Sequence, residues 1–117
     1  MTNISLKTNP TQILQIRNIL RDLGFSSSQN GTRFLNKAIQ YVISLDTDVF
    51  ILEEIYVFLS NYYHLSNDNI KQSIAYSIKT RDHIKSKNNF EKVFNYEYDD
   101  YVFFAKSLIE EISYKID

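Results

Sequence analysis

The chain has 117 residues, 44 % hydrophobic and 23 % charged, with a net charge of −1; that is one globular domain, large enough to bury a core without staples and not a disordered chain. It has no cysteine, which excludes a disulfide framework, thiolate zinc sites and cysteine nucleophiles. No apolar stretch nears the ~18 residues of a membrane span, and the N-terminus MTNISLKTNP lacks the apolar core of a signal peptide, so the expectation is a cytoplasmic protein with no membrane partner.

One Pro and two Gly leave little room for the tight turns of an all-β fold. Apolar residues recur instead at helical spacing. Residues 1–9 read as a flexible N-terminus and the rest as a single helical domain. Pro10 suits the first position of a helix over about 10–23, with Ile13, Ile16, Leu20 and Leu23 on one face and Gly24 as a left-handed cap. A second helix covers about 32–45, with Phe34, Leu35, Ala38, Ile39, Val42 and Leu45 inward. A third starts near Thr47 or Asp48, carries Val49, Leu52, Ile55, Tyr56 and Leu59, and stops around Tyr63. The next begins after Ser66, buries Ile70, Ile74 and Ile78, and runs to about Ser86. A short helix at 89–95 turns Phe90, Val93 and Phe94 inward. The last starts after Asp99, whose charge with that of Asp100 complements the helix dipole, and buries Tyr101, Ala105, Leu108 and Ile112 up to about Lys115. The fold class is an all-α bundle of about six helices.

The stretch 56–75 has the parts of a helix-turn-helix. Ser60 is small where two helices would cross, and His64 belongs to the few residue types that tolerate positive φ. Leu65 can plug the turn into the core, and Ser66 can cap the second helix. Such a pair, spanning about 56–86, presents its second helix to the major groove of duplex DNA. The exposed positions would be Ser66, Asn67, Asp68, Asn69, Lys71, Gln72, Ala75 and Tyr76. Gln72 and Lys71 are the expected base contacts, because Gln reads adenine bidentately and Lys reaches guanine. Lys79, Arg81 and Lys85 lie further along, where phosphate contact is expected. Charge is segregated: residues 69–89 carry Lys71, Lys79, Arg81, Lys85 and Lys87 against Asp82 alone, and acids gather elsewhere. Tyr62, Tyr63 and Tyr76 are candidates for partial exposure.

Leu20-Arg-Asp-Leu-Gly-Phe25, then Gly31-x-x-x-Leu35-x-x-Ala38-Ile39, then the 56–74 stretch resemble the C-terminal effector domain of the sporulation response regulator, the stage zero sporulation protein A family. The resemblance covers about residues 13–115. It implies a six-helix bundle with a helix-turn-helix and a bacterial transcription factor that binds short operator boxes, as a homodimer or in tandem copies. Two departures stand out. The family protein carries a phospho-acceptor receiver domain, whereas this chain starts at the effector domain. The family's recognition helix is rich in Arg, whereas the matching positions here are Asn69, Lys71, Gln72, Ala75 and Tyr76. The fold carries over and the operator sequence does not, because bidentate arginines are replaced.

The function expected is a DNA-binding transcription regulator. The alternative is a protein-interaction module that keeps the fold and modulates another regulator, for which the net charge of −1 and the missing arginines speak. Isolated His64 and His83, and the closely spaced Glu97, Asp99 and Asp100, match no metal or catalytic pattern. No phosphate-binding loop or nucleophile elbow is present. The expectation is no enzyme, no cofactor, no metal and no small-molecule substrate.

Overall fold

A computed structural model describes residues 6–45, 47 and 49–116. The first helix, α1 (Pro10–Asp22), starts where local chemistry dictates. Asn9 Oδ1 accepts from the Gln12 amide at 2.8 Å while Gln12 Oε1 accepts from the Asn9 amide at 3.0 Å, and Pro10 occupies the first turn. It ends at Gly24, φ +95°, where the Phe25 amide donates to the Leu20 carbonyl and the Gly24 amide to that of Arg21. Of the N-terminus expected to be flexible, residues 1–5 lie outside the described residues. Leu6 packs on the core, and the Lys7 amide donates to Ser44 Oγ at 2.7 Å.

The second helix, α2 (Asn30–Ile43), is the central element and packs against four others. It begins two residues before the predicted start, because Gly31 acts inside the helix rather than before it. A Cβ there would collide with the backbone carbonyl of Ser73 and with Ser77 Oγ, so the missing side chain lets a later helix cross at close range.

The third helix, α3 (Leu52–Tyr63), starts later than Thr47; the alternative cap Asp48 lies outside the described residues. Thr47 Oγ1 instead accepts from the Val49 amide at 3.2 Å in a short connection. There Phe50 is buried and Val49, expected inward, is 75 % exposed. The next helix, α4 (Asn67–Thr80), is capped by Ser66 Oγ accepting from the Asn69 amide at 3.1 Å.

The predicted extension of α4 to Ser86 is wrong. Arg81 is extended, and Asp82 starts a separate helix, α5 (His83–Phe94), its carboxylate accepting from the Lys85 amide at 3.0 Å. The break occurs because the carbonyls ending α1 draw on this segment. The Asp82 amide donates to Gly24 at 2.9 Å, Ser86 Oγ donates to Leu23, and Asn89 Nδ2 donates to Asp22 at 2.8 Å. Those bonds satisfy helix-end groups that would otherwise be orphaned. The predicted short helix at 89–95 is the second half of α5.

Asp99 does cap a helical start, accepting from the Tyr101 amide at 2.9 Å, but the element it opens is a 3-10 turn, Asp100–Phe103. Extended Phe104 separates it from α6 (Ala105–Ile116). The 3-10 register rotates Val102 and Phe103 inward and leaves Tyr101, expected in the core, 76 % exposed. The core joins Ile16, Leu20, Leu35, Ile39, Ile55, Leu59, Ile70, Ile74, Phe90, Leu108 and Ile112. No strand occurs among the described residues, and none of their helices is long and apolar enough to cross a membrane.

Candidate nucleic-acid interface

Two helices, α3 and α4, pack against each other across the short connection His64–Ser66. His64 adopts φ 57°, ψ 45°, the left-handed conformation expected of it. Ser60 closes the turn: its carbonyl accepts from the Leu65 amide at 3.1 Å, and its hydroxyl donates to the Leu65 carbonyl. Leu65 itself is 36 % exposed and does not plug the turn; the flanking Leu59 and Ile70 are fully buried instead.

The buried row of α4 is Ile70, Ile74 and Ser77, so the opposite side forms an outward stripe. Asp68, Asn69, Gln72, Ala75, Tyr76 and Lys79 are all exposed along it, with Ser66 exposed and Asn67 half-buried at its start. Asn69 is steadied by Ser73 Oγ at 3.4 Å. Tyr76 is 60 % exposed, the largest apolar surface on the stripe. The helix is held from behind by α2 through the Gly31 crossing and by Gln29 Nε2 donating to Thr80 Oγ1 at 3.2 Å.

Three cations fall differently from the expectation. Lys71 is turned toward α3: its Nζ lies 3.1 Å from Glu53 Oε1 and 5.3 Å from the centre of the Tyr56 ring. Arg81 is not a surface cation. Only 8 % exposed, its Nε donates to Ser86 Oγ at 2.9 Å and its Nη1 to the Ile78 carbonyl at 2.7 Å, with the guanidinium 3.7 Å from the Phe103 ring centre. It ties the end of α4 to α5 and the 3-10 turn and is withdrawn from the contact set. The available signal was Asp82, which as a helix cap breaks α4 just before it. At the α4–α5 corner, exposed Lys79 lies in the last turn of α4 and half-buried Lys85 in the first turn of α5; exposed Lys87 follows, its Nζ 5.6 Å from the Tyr98 ring centre. His83 shares that corner, its Nε2 2.9 Å from the Lys79 carbonyl.

Two tyrosines of α3 feel the neighbouring charges. Burial raises the Tyr56 phenol above its ordinary value, and the Glu53 carboxylate adds to this. Burial also raises Tyr63, with Tyr62 adding and Arg33 opposing. Tyr63 is half-buried against Phe34, whereas Tyr62 is 51 % exposed beneath the Lys37 ammonium. Sequence reasoning missed Glu53 and Tyr56 as partners of Lys71, since no local pattern links residues 53 and 71. Among the described residues no group of three or more His, Asp or Glu could hold a metal ion.

The family model described as "Sporulation initiation factor Spo0A C terminal" matches residues 16–113 of the 117. No curated protein and no solved structure gives a match.

Proposed function

Because the chain belongs to the family of sporulation initiation factor Spo0A C-terminal domains, a family of DNA-binding effector domains, we propose that it is a cytoplasmic, non-enzymatic transcription regulator that lays α4 in the major groove of duplex DNA. The carrying observation is the outward stripe of α4. Its neutral hydrogen-bonding residues Asn69 and Gln72 stand beside Ala75 and Tyr76, exposed Lys79 lies in its last turn, and Lys85 and Lys87 follow on α5. The amides can pair bidentately with adenine, and a small Ala leaves room for a thymine methyl. Ser66, Asn67 and Asp68 open the helix at the groove edge, and Lys79, Lys85 and Lys87 supply phosphate contacts. Two chains, as a homodimer or side by side on repeated boxes, would compensate for so few cations per chain.

The test is binding of duplex DNA, first by selecting bound fragments from genomic DNA and then by titrating the preferred fragment at several salt concentrations. Phosphate contacts by Lys79, Lys85 and Lys87 alone predict a log–log salt slope of about −3 per chain. Absence of binding at low salt would overturn this reading. It would favour a protein-interaction module, which the net charge of −1 and the engagement of Lys71 and Arg81 within the fold would suit.

A further inference from the structure

Glu53 and Glu54 open α3 side by side, yet they serve different neighbours. The charge of Glu54 is felt at Tyr41 on α2. Glu53 faces α4, where its Oε1 lies 3.1 Å from Lys71 Nζ. The ammonium also sits over the ring of Tyr56, which is buried. Lys71 is the sole cation within residues 67–78 of α4 and directly precedes Gln72. The helix best placed to meet DNA thus has its early positive charge neutralised from within.

We infer that Glu53 is an intramolecular stand-in for a DNA phosphate: it holds Lys71 against α3 in the free protein and releases it when α4 meets the duplex, so Glu53 sets the affinity of the site. This rests on the DNA-binding reading above. The exchange is chemically even, one oxyanion for another on the same ammonium, and the four-carbon lysine stem allows the swing without backbone movement. The pair is open to solvent, with side-chain exposures of 40 % for Lys71 and 65 % for Glu53. A pair so exposed shifts an equilibrium by no more than about fivefold, which a phosphate row can overcome. Glu53 adds a second effect. Once Lys71 leaves, its uncompensated carboxylate stands within a Debye length, about 10 Å at 0.1 M salt, of any phosphate that Lys71 reaches. Both effects weaken binding and both diminish with salt.

The test compares the wild type with Glu53→Gln, Glu54→Gln, Lys71→Gln and the Glu53→Gln/Lys71→Gln double variant on one duplex, with circular dichroism confirming equal folding. Glu54→Gln removes the same charge from the same helical turn without touching the pair. Glu53→Gln should bind about threefold to tenfold tighter at low salt, the gain shrinking as salt rises, while Glu54→Gln changes affinity less than about twofold. In the Lys71→Gln background only the repulsion between Glu53 and the phosphates remains, so Glu53→Gln should gain clearly less than it gains in the wild type. Equal effects of the two glutamate variants, or a full Glu53→Gln gain without Lys71, would overturn the latch while leaving DNA binding intact. No binding by any of the five proteins would overturn the DNA-binding reading and the latch with it.

Discussion

Arg81 and Gln72 have similar prospects in the sequence, as polar residues on or near one helix, but the fold gives them opposite tasks. The Arg81 guanidinium bridges Ser86 and the Ile78 carbonyl and stacks on Phe103. Arg81→Ala would leave those partners unpaired in a buried place and should lower stability by on the order of 2 kcal/mol, read as a lower urea midpoint. At temperatures where the variant remains folded, the ratio of preferred to scrambled DNA affinity should stay unchanged. Gln72 stands exposed in the middle of the outward stripe. Gln72→Ala should leave the urea midpoint within about 0.5 kcal/mol, yet cost about 1–3 kcal/mol at one base position of the preferred site. A stable Arg81→Ala protein with lost DNA binding, or a Gln72→Ala protein with undiminished base preference, would reverse these assignments. The one local difference is Asp82, whose cap ends α4 before Arg81; the burial itself comes from the arrival of α5 and the 3-10 turn over position 81.

At the level of elements, α4 is positioned by its crossing with α2. Gly31 sits where α2 meets the carbonyl of Ser73 and the hydroxyl of Ser77, and the Thr32 and Ser77 hydroxyls beside it are buried without a hydrogen-bond partner. Alanine at 31 would gain up to about 1 kcal/mol in helix propensity. The collision is with backbone, so the helices must separate, and overpacking of this kind costs about 1–3 kcal/mol. We therefore expect Gly31→Ala to be net destabilising by at least about 1 kcal/mol in urea denaturation. An unchanged or raised midpoint would show that α2 and α4 part easily. Glycine here is legible in the sequence only as punctuation, which puts it before the helix. Its use inside the first turn of α2 is a property of two helices far apart along the chain (Gly31 against Ser73 and Ser77), which no local pattern contains. Helix starts at Pro10, Ser66 and Asp99 were legible. The α4–α5 break had only the cap residue Asp82 as a local signal, against apolar periodicity that runs through it, and the bonds that enforce it come from the end of α1.

For the molecule as a whole, alkaline pH is the direction of weakness. Tyr96 is raised by partial burial and then by its 2.7 Å hydrogen bond to Glu111. Tyr98 is raised by burial and then by its bond to Asp100, and burial raises Tyr41, Tyr56 and Tyr63 as well. A phenol whose pKa is higher folded than unfolded contributes stability that is complete below the unfolded value of about 10 and is lost as pH rises through the folded value. The urea midpoint should accordingly be insensitive to these groups between about pH 7 and 9 and fall above about pH 10, with phenolate absorbance of the native protein lagging that of the unfolded chain. A midpoint that holds steady above about pH 10, or phenols that ionise together at the free value, would contradict this. The same whole-molecule view separates two kinds of information. Helical class, helix number, capped starts and the left-handed turn at His64 are local consequences of periodicity, side-chain caps and allowed φ, so the order of residues along the chain specifies them. Which cations face outward is different in kind. Lys71 is neutralised by Glu53, Arg81 is enclosed by Ser86 and Phe103, and Lys79 stays at the surface. Those outcomes depend on which distant element packs over each position, because ion pairing and burial act through space between groups brought together only when the helices close on one core.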